Sequence, residues 1–136
     1  MKNHTWKLEN NIFKLAECNS TTIFDDGQEK KLINTGMHYD HAFIVYANEI
    51  PVGIVCVSEL KNEQRLHIDW IEIMTVFRHK GILKSIFRGL SELFNVEYID
   101  LEAGDMNYIK FLAIGCINRK VESRIETHKL TWKYQD

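Results

Sequence analysis

The sequence predicts an α+β domain on one mixed, mostly antiparallel sheet, in the order β-α-β-β-β-α-β-α-β. Three observations carry this. Dense runs of β-forming residues at 42–47 and 52–60 flank a short polar turn, and a third run at 66–73 follows a charged one. From Gly81 the pattern changes. Ile82, Leu83, Ile86, Phe87, Leu90, Leu93 and Phe94 recur three or four residues apart, with Lys84, Arg88 and Glu92 outside, as on an amphipathic helix. A short apolar strand follows at 96–101, and the helix between it and 66–73 makes the two strands parallel neighbours joined by a right-handed crossover.

The flanking elements are read in the same way. Asn11–Cys18 is the first strand, with Ile12, Phe13, Leu15 and Ala16 partly alternating. Asp25-Asp26-Gly27 offers a helix start, which predicts a short helix over 28–34 closed by Gly36. Asn48-Glu49 turns the chain into a hairpin, and Pro51, the only proline, stands where the second strand begins and its missing N–H costs least. A second helix is predicted from 105 to 114, ended by Gly115. Alternation at 123–134 gives the final strand. No repeat or linker divides the chain, so residues 1–136 form one domain, long enough to bury a core without metal or disulfide staples.

Composition narrows the function classes. A formal net charge of −2 argues against a general nucleic-acid binder. No run approaches the roughly 18 apolar residues of a membrane span, and the first six residues lack the apolar core of a signal peptide. A cytoplasmic protein with no nucleic-acid or membrane partner is the expectation. Cys18, Cys56 and Cys116 are odd in number and far apart, which fits buried thiols in a reducing compartment. His38 and His41 form a short pair with no further ligands at useful spacing, so no metal site is expected.

One stretch points at chemistry. An apolar run ending in Ile71-Glu72-Ile73-Met74-Thr75-Val76-Phe77 meets the basic turn Arg78-His79-Lys80-Gly81, and a helix follows at once. Free backbone N–H groups, the positive end of a helix and basic side chains converge there, a combination that holds an anion and most often a phosphate. The Walker pattern is absent, because Gly81 is followed by Ile82 and Leu83 and leaves no hydroxyl for magnesium.

In this order of elements the residues resemble the GNAT superfamily of N-acetyltransferases over nearly the whole chain. The family signature Arg/Gln-x-x-Gly-x-Gly/Ala appears as Arg78-His79-Lys80-Gly81-Ile82-Leu83, preceded by the aromatic Phe77. His67-Ile68-Asp69-Trp70-Ile71-Glu72-Ile73 resembles the family's fourth strand, and Phe111-Leu112-Ala113-Ile114-Gly115-Cys116 the Tyr-x-x-x-Gly-Phe that closes its last helix. The departures are Leu83 for the second glycine or alanine, Phe111 for the tyrosine and Cys116 for the phenylalanine.

The resemblance implies a GNAT-like sheet with helices on both faces, acetyl-CoA as cosubstrate, and acetyl transfer to a small-molecule or protein amine by direct attack in a ternary complex. The pyrophosphate would lie on backbone N–H groups of His79, Lys80, Gly81, Ile82, Leu83 and Lys84, with Arg78, Lys80 and Lys84 adding charge. The pantetheine arm would bond along the fourth strand near Ile73 and Thr75, with Asn107 as a further contact. Asp69 is the candidate base: it stands two positions from Ile71 and four from Ile73, which puts it on their face by simple alternation, with Glu72 opposite. His67 shares the face of Asp69 and would serve through a water. Tyr108, one turn before Phe111, is the candidate acid. The acceptor would meet the early helix and the loop from Gly36 to Asp40. A homodimer through the terminal strand is implied by analogy. The alternative is a GNAT-fold protein without catalysis that binds CoA or a protein partner in a regulatory role.

Overall fold

The computed structural model describes residues 2–19, 23–25, 30–32, 38–77, 81–104, 108–122 and 127–135. They form ten strands and two α-helices: β1 (Asn3–Leu8), β2 (Asn11–Cys18), β3 (Ile23–Asp25), β4 (Lys30–Leu32), β5 (His41–Ala47), β6 (Ile50–Leu60), β7 (Arg65–Ile73), α1 (Ile82–Phe94), β8 (Tyr98–Gly104), α2 (Tyr108–Ala113), β9 (Ile117–Glu122) and β10 (Thr127–Lys133). Eight strands make one sheet in the order β1-β2-β5-β6-β7-β8-β10-β9, and β3 pairs with β4 separately. The expected meander is present as β5, β6 and β7, paired antiparallel. The expected parallel pair is β7 with β8. The sheet is therefore mixed and mostly antiparallel.

Three expectations are corrected. The helix predicted over 28–34 is not formed: Lys30–Leu32 is a strand, with Ile23 opposite Leu32 and Asp25 opposite Lys30. Asp26-Gly27 between two strand-capable triplets is also a hairpin signal, and that reading prevails over the helix start. Besides β3 and β4, two further strands went unforeseen, β1 ahead of Asn11 and β9 ahead of the final strand, so the element order is longer than predicted. The helices do not take opposite faces either. The Phe87 ring of α1 stacks on Phe111 of α2 at 6.2 Å and 9°, and both belong to one core.

That core lies between the sheet and the two helices. Leu15, Phe43, Val55, Leu66, Ile99 and Leu130 from the strands meet Ile86, Phe87 and Leu90 of α1, all fully buried. Each such side chain contributes about 1.5–3 kcal/mol of burial, so the apolar stripe of α1 decides where the helix docks. The helix stops at Asn95, which adopts a left-handed conformation and returns its N–H to Ser91. The opposite face of the sheet carries a smaller cluster of Ala42, Ile54 and Cys56, with Ile44, Trp70 and Met74 packed on it and no helix residue among its described members. Among the described residues no helix is long and apolar enough to cross a membrane.

Candidate active site

The parallel neighbours β7 and β8 stay together only briefly. They pair from Arg65–Tyr98 to Ile68–Leu101. Beyond that point β7 runs on to Ile73 still paired to β6, and β8 runs on to Gly104 still paired to β10. The strands fork. A cavity of about 220 Å³ fills the fork, lined among others by Asp69, Trp70, Leu101, Ala103, Lys110 and Phe111.

The fork opens at a β-bulge. Cys56 of β6 faces Trp70 and the next residue, Val57, faces Ile68, so Asp69 is one residue more than the partner strand can match. A bulge bends its strand, raises the local twist and re-aims a side chain. It also corrects the expected position of Asp69. Leu66 and Ile68 before the bulge, and Ile71 and Ile73 after it, all belong to the helix-side core. Asp69 does not share their face: it bonds to His67 and to Ser58, which stands opposite His67. Glu72 lies opposite Ile54 of the smaller cluster, so it shares the side of Asp69 rather than the reverse.

The polar groups here form two connected sets. Asp69 accepts a hydrogen bond from Ser58 Oγ at 2.5 Å through Oδ2, and Oδ1 lies 3.0 Å from His67 Nδ1. One strand over, below the fork, Arg65 donates from Nε and Nη2 to the two oxygens of Asp100 at 2.7 and 2.8 Å, and Thr131 Oγ1 donates to the same carboxylate at 2.6 Å. The Asp100 hydrogen bond, ahead of its charge, raises Arg65 against the opposing effect of burial. This bidentate link joins β7, β8 and β10 at the closed end of the fork.

The predicted cosubstrate residues fall in three groups. Arg78, His79, Lys80 and Asn107 lie outside the described residues. So do residues 28–29 and 33–37 of the expected acceptor segment. Ile73 is half-buried on the main core, Thr75 opens a single 3-10 turn, and Tyr108 is the first residue of α2. Gly81 has φ +77°, a left-handed conformation that suits glycine, and leads directly into α1. With no side chain at that position to cap the helix, the first N–H groups of α1 have no intrahelical acceptor and no capping oxygen from residue 81. Ile82 is buried and Leu83 is half-buried against the core, so the bulk of Leu83 is spent on packing and not on crowding the turn. Lys84 is exposed and, with Gly81 and Arg88, walls a larger cavity of about 330 Å³ on the helix side, which does not include Asp69. The fork brings the side chains of Asp69 and Lys110 to a gap between two strands.

Phe111, in the tyrosine's place, is buried in the stack with Phe87. Burial pushes the Cys56 and Cys116 thiols up to about 12, so neither is a nucleophile near neutrality. Among the described residues no group of His, Cys, Asp and Glu has the arrangement of a metal site. Ser58 is the site residue that sequence reasoning missed. Only the cross-strand register brings it to Asp69.

No protein-family model and no curated protein matches the sequence. Among solved structures, the chain is similar to spermidine N-acetyltransferase from Vibrio cholerae in a dodecameric structure, with a TM-score of 0.61 and 14% identity over 89% of this chain and 93% of that one. It is similar to the PaiA N-acetyltransferase from Thermoplasma acidophilum in complex with coenzyme A, with a TM-score of 0.56 and 12% identity over 68% of this chain and 60% of that one. A chimera of the Vibrio cholerae enzyme SpeG with hSSAT gives a TM-score of 0.54 and 14% identity over 68% of this chain. This chain spans 66% of the chimera's length. At such identities the likeness is one of fold, and the chain has the fold of the GNAT acetyltransferases.

Proposed function

We propose that the protein is an N-acetyltransferase that moves an acetyl group from acetyl-CoA to a primary amine by direct attack in a ternary complex. The observation that carries this reading is the fork between β7 and β8, with Asp69 raised into its wall by a bulge. Two strands that part while both stay paired on their outer edges leave a slot for an extended chain, and the pantetheine arm is one. In this reading the arm runs beside β7 toward Ile73 and Thr75, with Asn107 as a further contact. The pyrophosphate meets the N–H groups from His79 to Lys84, and Arg78, Lys80 and Lys84 supply countercharge. The left-handed Gly81 and the inward packing of Leu83 suit that role.

The thioester supplies an electrophilic carbonyl and a thiolate leaving group. The chain has to bind it, take a proton from the amine and let the thiolate be protonated. In this reading Asp69, which lines the slot, and His67, bonded to it, serve the first proton transfer, and Tyr108 at the start of α2 is the donor for the second. The acceptor approaches from the face of the sheet that carries Asp69. It is a small-molecule or protein amine, and a homodimer through the C-terminal strands is part of the same reading.

The test is direct. Acetyl-CoA or CoA raises the melting temperature by linkage, and free thiol is released steadily when an amine is added. No melting shift at millimolar CoA would sink the cosubstrate. A shift without thiol release across an amine panel would instead favour a CoA-binding protein without catalysis.

A further inference from the structure

Resting on that reading, we infer that the group taking the acceptor's proton is His67, through Nε2, and that Asp69 is the positioning carboxylate behind it. Both oxygens of Asp69 are engaged, Oδ2 by the Ser58 hydroxyl and Oδ1 by His67 Nδ1. An ionised carboxylate only accepts, so His67 Nδ1 carries the hydrogen, and the neutral ring then has its lone pair on Nε2. Nε2 has no hydrogen-bond partner among the described residues. Its ring is 31% exposed against 15% for the Asp69 side chain, so an amine arriving on this face of the sheet reaches the imidazole first.

The charged surroundings isolate the pair. Arg65 and Asp69 face His67 along β7, Asp100 faces it from β8, and Ser58 faces it from β6. Arg65 and Asp100 hold each other bidentately, which leaves Asp69 as the carboxylate on His67. Cys56, also on β6, is kept neutral by burial. The Ser58 hydroxyl is spent on Asp69, so the trio does not form a nucleophile; it fixes a tautomer. The same carboxylate-to-imidazole logic orients the base of hydrolytic triads.

The proton balance is simple. An N–H bond of the acceptor ammonium breaks, its proton forms a bond to Nε2, and the amine keeps the electron pair. The resulting imidazolium is stabilised by Asp69. When the C–N bond forms and the C–S bond breaks, the nitrogen's next proton ends on the thiolate. The ring resets by losing its proton to solvent, so one proton is released per turnover.

Two measurements test this. In long-range ¹H–¹⁵N NMR spectra of the unliganded protein, His67 should be the Nδ1–H tautomer, and Asp69→Asn should abolish that preference. An Nε2–H tautomer in the wild type overturns the inference whatever the activity. In thiol-release assays with acetyl-CoA and n-butylamine, spermidine or a lysine peptide as probe amines, His67→Gln should lose about 100-fold in kcat and its acid limb. The KM for acetyl-CoA should stay unchanged, and added imidazole should restore part of the rate in His67→Ala. Asp69→Asn should keep an acid limb. Wild-type turnover with an unimpaired His67→Gln removes this inference alone. No turnover by the wild type with any of the three amines removes the transferase reading and this inference with it.

Discussion

Trp6 of β1 lies against α1 at the one point where the helix has no side chain, Gly89. A Cβ added at Gly89 would stand within 2.6 Å of the Cζ2 and Cζ3 ring carbons of Trp6. The ring has little freedom to withdraw, because His4 stacks on it at 5.4 Å and Phe13 at 5.6 Å. This contact ties the first strand to the helix that Gly81 begins. Gly89→Ala should therefore destabilise the fold by about 1–3 kcal/mol, despite the better helix propensity of alanine. Denaturant melts check it, and a stability equal to or above wild type would show that the strand yields.

The clamp around His41 makes stability depend on pH. Its Nδ1 lies 2.7 Å from Glu17 and its Nε2 2.9 Å from Glu59. Burial lowers His41, but the hydrogen bonds and charges of the two glutamates outweigh it, and the net shift is upward from 6.5. Burial raises Glu17, and the Lys2 N–H and His41 outweigh that, so it ends below 4.5. The His41 contribution is full below about pH 6.5 and fades as pH rises through the raised value; that of Glu17 is full above about pH 4.5 and fades as pH falls through the lowered one. The clamp should thus be strongest between roughly pH 5 and 6.5. His41→Gln should cost about 1–2 kcal/mol at pH 6 and less at pH 9. Urea melts of both proteins across pH 4–9 give the difference directly, and a constant gap would assign the loss to packing.

What the sequence reveals of this molecule follows from how local each signal is. The meander, α1 and the turn at Gly81 are written in contiguous residues, in the β-former runs and in the spacing of Ile82, Ile86, Phe87 and Leu90. The bulge at Asp69 is marked by no glycine or proline, only by the adjacent apolar pair Trp70-Ile71 that breaks the alternation. The register against Cys56 and Val57 exposes the extra residue, and every face assignment beyond it inverts. Ser58 is hidden for the same reason, since its partner is eleven residues away on another strand. In β1 the single buried apolar residue is Trp6, too little for a period to be seen. The hairpin of β3 and β4 shows the opposite failure, in which one Asp-Gly served two readings.

Arg65 and Asp100 are not equivalent partners. The Asp100 side chain is 7% exposed and that of Arg65 24%. Removing Arg65 leaves a carboxylate in the interior, whereas neutralising Asp100 leaves a guanidinium that water can reach. Arg65→Met should cost about 3 kcal/mol or more, and Asp100→Asn about 1–2 kcal/mol. Because the pair closes the fork, both variants should also lose turnover in proportion exceeding their loss of folded protein. Equal costs in equilibrium unfolding would mean that the two groups share one environment.

The fork itself can be blocked without touching the turn. Gly104 lines the cavity at the open end of β8, an added Cβ there meets nothing within 4 Å, and its φ is not in the left-handed region. Gly104→Leu should leave stability within about 0.5 kcal/mol of wild type and fill the space proposed for the pantetheine arm. Gly81→Ala acts differently, since φ +77° strains any side chain and should cost about 1–2 kcal/mol by itself. With CoA at a hundred times its dissociation constant, linkage stabilises the wild type by about 2.7 kcal/mol. Both variants should lose most of that increment, Gly104→Leu from an unchanged baseline and Gly81→Ala from a lowered one. Melting curves with and without CoA separate baseline from increment. If Gly104→Leu keeps the full increment, the arm does not run through the fork; if Gly81→Ala keeps it, the pyrophosphate does not rest on this turn.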